Sequence, residues 1–314
     1  MLMACPDRRL GFRVINSFSK PVRLGEGLEA RGSLGDAAVE RTIDALRACA
    51  QRMRRAQIVR ARCIATAPCR RADNASAFVA RVKRETNLDL EPLAAAEEAR
   101  LTLSGCAPLL DRAYPRVLLL DIGGGSTEVS WIAREGRGAL RFLGVVSLPV
   151  GVVSFAERYG GDRVPAETYQ RMVSTIAEML APFEAEHAIE DAVSSGRVQM
   201  VGTSGTVTTI AAAYLGLTRY ERARVDGLSL SFDAIAEVTR RFAASTWQER
   251  AANTCIGPHR ADLVIAGCAI LEAVCKRWRV GRLHVADRGI REGLLMTMMA
   301  ADGAAPVNLP AVSP

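Results

Sequence analysis

The chain has 314 residues, of which 49% are hydrophobic and 24% are charged, and this balance excludes disordered and fibrous classes. Its length suggests roughly two domains of about 100–200 residues each. No apolar run reaches the ~18 residues that a membrane helix needs. We therefore expect a cytoplasmic protein that does not associate with a membrane.

The formal net charge is +7, with 41 basic residues of which three are lysines, Lys20, Lys83 and Lys276. A basic chain can bind nucleic acid, but aromatic residues make up only 5%, which leaves little material for stacking on bases. A basic cleft for a small, phosphate-rich polyanion fits the charge equally well. We expect no nucleic-acid partner.

The eight cysteines form no C-x-x-C pair, and the three histidines stand alone. A zinc site usually needs closely spaced ligands, and a disulfide scaffold is typical of short secreted chains. We expect neither a zinc site nor a disulfide framework.

The hydrophobic pattern alternates between helical and extended segments, which is typical of α/β layers. It predicts strands at 11–15, 22–24, 57–67, 88–93, 117–120, 127–133, 140–148, 198–201 and 282–286. It predicts helices at 36–55, 74–86, 97–103, 165–187, 206–214, 232–243, 260–278 and 289–300. The last residues, 301–314, are rich in Ala and Pro and are expected to form a flexible tail.

The most informative segment follows the apolar strand at 117–120 and reads Asp121-Ile122-Gly123-Gly124-Gly125-Ser126-Thr127-Glu128. Three glycines let backbone N–H groups approach an anion closely. Asp121 at the strand end can hold a hard cation, and Mg²⁺ prefers one or two carboxylates plus substrate phosphates. A flexible hairpin turn is the structural alternative. A strand follows the glycines, which excludes a dinucleotide fingerprint, and the missing lysine excludes a Walker P-loop.

A second strand leads into a helix through Gly202-Thr203-Ser204-Gly205-Thr206. A helix N-terminus of this kind can bind phosphate through free N–H groups, or the hydroxyls can simply cap the helix. A nucleophile elbow would need glycine at position 206. A third strand–glycine–helix segment at 286–295 is equally compatible with a plain turn.

For two further features, the residues alone leave two roles possible. Glu97 and Glu98 open a helix, where an acid can act as a general base or only complement the helix dipole. Arg70 and Arg71 follow a strand, where an arginine can clamp phosphate or stay solvated.

Together these segments resemble the exopolyphosphatase / guanosine pentaphosphate phosphohydrolase (Ppx/GppA) family, in its short two-domain form, over almost the whole chain. The most specific motifs are Asp121–Glu128 and Glu97-Glu98-Ala99-Arg100-Leu101. The other matching positions are Phe12–Ile15, Val22–Leu28, Ala65–Ala67, Arg70, Asn74, Gly202–Thr206, Arg260–Val264, Gly267 and Arg291–Gly293.

The resemblance implies two ribonuclease-H-like α/β domains of the actin, sugar kinase and Hsp70 type, with a cleft between them. Residues 1–114 are expected to form the first domain, completed by the C-terminal helix 289–300, and residues 115–288 the second.

The family also implies roles for particular residues. Glu98 matches the catalytic base, and Asp121 and Glu128 match the acids associated with the metal and the attacking water. The phosphate path would be lined by Arg70 and by two loops, Gly123, Gly124, Gly125 and Ser126 in one and Gly202, Thr203, Ser204, Gly205 and Thr206 in the other. The implied cofactor is Mg²⁺.

One part of the family pattern does not match. Family members normally start with a strand and turn of the form D-[IL]-G-[ST]-N, the first phosphate-binding loop, and Met1 falls where that strand should be ending. We expect either that the start was placed too late or that this loop is missing. A real loss would expose a strand edge and reduce stability and activity.

The resemblance favours a hydrolase that releases terminal phosphate from polyphosphate, pppGpp or both. An impaired protein that only binds polyphosphate or (p)ppGpp is the alternative, and a sugar kinase or ATPase of the same superfamily is a third. A homodimer is compatible with this interpretation.

Overall fold

The computed structural model describes residues 1–7, 11–136, 138–303 and 312–313. Its strands are β1 (Leu2–Asp7), β2 (Gly11–Ser17), β3 (Cys63–Ala65), β4 (Leu90–Pro92), β5 (Arg116–Ile122), β6 (Thr127–Glu135), β7 (Ala139–Leu148), β8 (Val198–Thr203), β9 (Ser229–Ser231), β10 (Arg282–Ala286) and β11 (Val312–Ser313). Its helices are α1 (Leu28–Arg31), α2 (Asp36–Arg55), α3 (Ala67–Arg71), α4 (Ala75–Thr86), α5 (Ala95–Cys106), α6 (Val152–Tyr159), α7 (Ala166–His187), α8 (Ile189–Ser194), α9 (Gly205–Tyr214), α10 (Arg222–Val225), α11 (Phe232–Ala244), α12 (Trp247–Ala252), α13 (Val264–Arg277) and α14 (Ile290–Ala301).

The central sheet is mixed and has the strand order β11-β7-β6-β5-β8-β10-β9. Strands β5, β8 and β10 are parallel, and their pairing register places Asp121 beside Thr203 and Thr203 beside Ala286. The chain therefore leaves all three strands at the same edge of the sheet. This edge receives the loops that follow residues 122, 203 and 286.

Two smaller sheets lie in the first third of the chain. Strands β1 and β2 are antiparallel, and β3 and β4 are parallel. The helices α2 and α4 pack with β3 and β4 in an apolar cluster that includes Ile43, Phe78 and Val82. A separate and larger cluster, with Leu118, Phe155 and Trp278 among its members, surrounds the central sheet.

The helices α5 and α14 pack closely against each other, and glycines permit this contact. A Cβ atom on Gly293 would lie 1.8 Å from the carbonyl oxygen of Leu101, and one on Gly105 would lie 2.1 Å from the carbonyl oxygen of Gly289. Leu101, Leu294 and Met298 then close an apolar cluster between the two helices. The C-terminal helix is thus packed on the segment that carries Glu98.

The predicted helices and strands agree in outline with the structure, and helix 36–55 has the predicted bounds. One strand prediction was wrong, and a second was correct only for residues 63–65. The segment Val22–Leu24 is a loop because Arg23 adopts a left-handed φ of 48°. The predicted strand 57–67 shrinks to Cys63–Ala65, and Gln57 ends the preceding helix with a φ of 50°.

Most of the predicted tail, 304–311 and 314, lies outside the described residues. Val312 and Ser313 pair in parallel with Leu140 and Arg141 of β7. No helix in the described ranges combines the length and the hydropathy that crossing a bilayer requires.

The α5–α14 contact predicts an unusual response to a glycine substitution. Helix propensity alone would make Gly293→Ala stabilising by about 1 kcal/mol. Because the new methyl group would collide with the Leu101 carbonyl, we expect destabilisation by about 2–4 kcal/mol in urea unfolding. Thr297→Ala, one turn further along α14, should change stability by less than about 1 kcal/mol. A stabilised Gly293→Ala protein would contradict the packing.

Candidate active site

The triple-glycine segment is the turn of the β5–β6 hairpin. The Gly123 N–H donates to the Ser126 carbonyl at 2.9 Å, which closes the turn. The carbonyls of Gly123 and Gly124 accept from the N–H groups of Val152 and Val153, at 3.0 and 2.9 Å. Since a trans peptide directs its N–H opposite its C=O, the N–H groups of Gly124 and Gly125 point away from helix α6.

Gly151 makes this arrangement possible, although no sequence motif indicated its role. A Cβ atom at position 151 would lie 2.4 Å from the carbonyl carbon and oxygen of Gly124. Only glycine therefore lets the start of α6 dock on the turn. Thr127 forms a second contact between the hairpin and the segment before α6, because its hydroxyl donates to the Val150 carbonyl at 2.8 Å.

The second loop joins β8 to α9 through a strained residue. Ser204 has a φ of 109°, a conformation that residues with a Cβ atom rarely adopt. Its buried hydroxyl oxygen has no hydrogen-bond partner among the described residues. A strained backbone and an unsatisfied buried hydroxyl at a helix N-terminus are typical of a site that is completed by a ligand.

These two loops line a cavity of about 380 Å³. The predicted residues that line it are Asp121, Gly123, Gly124, Ser204, Gly205 and Thr206. Thr203 lines an adjoining cavity of about 760 Å³ that shares Asp121, Ser204 and Gly205 with the first. Gly125, Ser126 and Gly202 are outside both linings. A Cβ atom on Gly202 would lie 3.1 Å from carbons of Leu283 and Val207, so this glycine serves packing.

The remaining predicted residues, Glu98, Glu128 and Arg70, form a connected group outside these linings. Arg70 donates to Glu98 at 2.5 Å and to the Leu93 carbonyl at 2.9 Å, and its guanidinium lies 3.9 Å from Glu128. Glu128 also accepts a hydrogen bond from Ser147, its cross-strand partner on β7, at 2.8 Å. In this conformation Arg70 is engaged with the carboxylates rather than exposed to the cavity.

Asp121 connects this group with the cavity. It lies directly opposite Glu128 on the β5–β6 hairpin, and Thr102 of α5 donates to it at 3.4 Å. Burial, together with the charges of Glu128 and Glu98, raises the pKa of Asp121 to about 7. Burial also raises the pKa of Glu98, although the Arg70 hydrogen bond opposes this shift.

The group formed by Glu98, Asp121, Glu128 and Arg70 carries more negative than positive charge. Three carboxylates, those of Glu98, Asp121 and Glu128, share one guanidinium, that of Arg70. Within the described ranges, no three His, Cys, Asp or Glu side chains form a complete metal cage. The pair of Asp121 and Glu128 nevertheless fits Mg²⁺, which usually takes one or two protein carboxylates and fills its other positions with water and phosphate oxygens.

The central mixed sheet and the helices packed on it form an α/β protein with the actin-like ATPase fold. A model of the Ppx/GppA phosphatase family matches residues 6–302, and the chain belongs to this family. It is 29% identical to exopolyphosphatase 2 of Mycobacterium tuberculosis, over 88% of this chain and 86% of the relative.

Solved structures agree with this assignment. A Ppx/GppA family member of Aquifex aeolicus superposes with a TM-score of 0.76 at 27% identity, covering 96% of this chain and 94% of that one. An exopolyphosphatase from Cytophaga hutchinsonii shares the fold with a TM-score of 0.83 at 24% identity, over 96% and 94% of the two chains. The α/β fold expected from the sequence is therefore confirmed.

The raised pKa of Asp121 predicts that the site destabilises the metal-free protein at neutral pH. A folded pKa of about 7 above an unfolded value of 3.8 favours the protonated form, so stability is lost as the pH rises between these values. We expect Asp121→Asn to be more stable than the parent in EDTA. The difference in the free energy of unfolding should grow from about pH 4 to pH 7 and stay constant above pH 7. Because Asp121 is partly solvated, we expect this difference to reach only about 1–3 kcal/mol.

The measurement is urea unfolding at several pH values, with Asp44→Asn as the control. Asp44 is exposed and paired with Arg47, so its substitution should show no such pH dependence. An Asp121→Asn protein that loses stability at pH 8 would contradict the electrostatic account.

Proposed function

We propose that the chain is a phosphoanhydride hydrolase that releases the terminal phosphate of inorganic polyphosphate. The observation that carries this proposal is the arrangement of two anion-accepting loops around one cavity whose lining includes a carboxylate, Asp121. Membership in a phosphatase family and the similarity to an exopolyphosphatase support it. The 5′ end of pppGpp carries the same condensed phosphate, so it is a second candidate substrate.

We also propose the two-domain arrangement that the resemblance implies. The separate apolar clusters around Ile43 and around Leu118 support two cores. The packing of α14 on α5 supports the inclusion of 289–300 with 1–114, and 115–288 would form the second domain. The cavity would then lie in the cleft between the domains.

The two loops would bind and orient the terminal phosphoryl group of the substrate. The N–H group of Gly124 and the free N–H groups at the N-terminus of α9 would donate hydrogen bonds to the non-bridging oxygens of the terminal phosphoryl group. Donors of this kind, fixed before the reaction, stabilise the charge on the transferred phosphoryl group. Mg²⁺ held by Asp121 and Glu128 would supply charge neutralisation when bound.

Glu98 is the residue we assign as general base. Its side chain is buried, and burial raises its pKa, which makes its carboxylate a better proton acceptor. Arg70 fixes the carboxylate by a bond at 2.5 Å and is itself anchored on the Leu93 carbonyl. Water deprotonated by Glu98 would attack the terminal phosphorus in line with the leaving phosphate oxygen.

The base assignment predicts that Glu98→Gln reduces phosphate release from polyphosphate by about 10²–10⁴-fold. Binding of polyphosphate, measured by calorimetry, should persist because the loops remain. Glu97→Gln is the matched control, because the carboxylate of Glu97 pairs with Arg100 of the same helix at 2.7 Å. Equal activity of Glu98→Gln and the parent would refute the assignment. Binding by the parent without any phosphate release would instead favour the regulatory alternative.

The metal assignment predicts that phosphate release needs Mg²⁺ and stops in excess EDTA. Mg²⁺ should also raise the unfolding temperature of the parent, because it compensates the carboxylates, and should do so much less for Asp121→Asn. This thermal shift does not depend on turnover. An identical shift in both proteins would contradict a site at Asp121.

A further inference from the structure

Of the three lysines, Lys20 is the one that forms no ion pair with a carboxylate of the described residues. Lys83 pairs with Asp89, and Lys276 pairs with Glu272, each at 2.7 Å. Lys20 is exposed, lies in the loop between β2 and α1, and lines the 380 Å³ cavity that also holds Asp121. A solvated ammonium that faces glycine-rich loops is available to an anionic ligand.

A second cation faces the same cavity from a distant part of the sequence. Arg260 lines both cavities, and one of its guanidinium nitrogens lies 3.6 Å from the position that a Cβ atom of Gly205 would take. It forms no ion pair with another described residue. The guanidinium therefore lies next to the N-terminus of α9, where the helix dipole also favours an anion.

Arg23 holds the segments of these two cations together. Its guanidinium donates to both carboxylate oxygens of Asp262 at 2.7 Å and to the carbonyl of His259 at 2.9 Å. Lys20 and Arg260, which flank this contact, are thereby kept on one cavity, whose lining contains a single acid, Asp121.

We propose that Lys20, facing Arg260, contacts the phosphate groups next to the terminal one and so determines the preference for condensed phosphate. This inference rests on the proposed function. The cavity volume of 380 Å³ lies in the range of small-ligand pockets and exceeds the need of one orthophosphate. An ammonium group is a point charge and lacks the fixed bidentate geometry of a guanidinium. Lys20 can therefore bind one phosphate group after another as a polyphosphate chain moves through the cavity. It binds substrate and takes no part in proton transfer.

The first test separates binding from chemistry. Lys20→Met, which keeps the side-chain length and removes the charge, should raise the KM for polyphosphate about tenfold. The kcat should stay within about twofold, since no reacting atom is touched. Lys20→Arg should restore most of the affinity, and Lys83→Met should behave like the parent. An unchanged KM for Lys20→Met would overturn the inference.

The second test does not depend on turnover. The chain has three lysines, so acetylation by an acetyl ester can be followed at each one by peptide mass spectrometry. Long-chain polyphosphate should protect Lys20 and leave Lys83 and Lys276 reactive, whereas orthophosphate at equal phosphorus concentration should protect Lys20 much less. Equal protection by orthophosphate would overturn the role in recognising condensed phosphate. Protection by polyphosphate without phosphate release would support this inference while refuting the proposed hydrolase.

Discussion

Three parallel strands, β5, β8 and β10, end at the same edge of the central sheet, and the position of the site depends on this shared register. Because Asp121 pairs with Thr203, the glycine turn after β5 and the helix start after β8 are neighbours in space. A shift of one residue would turn Asp121 to the other face of the sheet. The pairing fixes which side chains meet, and the glycines then fix how closely the backbones approach.

The site that results is electrostatically costly to the metal-free protein. Asp121 and Glu128 are cross-strand partners, and like charges directly opposite on a hairpin repel. Glu98 adds a third carboxylate on α5, while Arg70 supplies one compensating charge. Hydroxyl groups of Thr102 and Ser147 hold two of the carboxylates in place, and neither hydroxyl was singled out by its sequence context. Such a concentration of charge is typical of a site that is stabilised by its ligands.

The sequence predicted the fold well where the pattern is local and repetitive. Helix α2 has a clear amphipathic period, and the apolar run at 117–120 marked the central strand. Prediction was wrong where tertiary contacts overrule local preference: Val22–Leu24 looks like a strand, but Arg23 turns to bind Asp262 and His259. The motifs at 121–128 and 202–206 marked the two loops that line the cavity, but they did not separate the residues that face it from Gly125, Ser126 and Gly202, which do not. Lys20 and Gly151 were missed, because a lone lysine or glycine has no spacing that reveals what faces it.

The contact between α5 and α14 has a consequence for the order of events during biosynthesis. Helix α5 carries Glu98, yet its apolar partner residues Leu294 and Met298 lie much later in the sequence and leave the ribosome after the strands β5 to β8. Until then the Leu101 side chain lacks two of its buried apolar neighbours, whereas the strands β5 to β8 can already pair. Packing of the segment that carries Glu98 is therefore delayed until α14 has been synthesised, and nascent chains arrested before residue 290 would expose an apolar helix surface to proteases and chaperones.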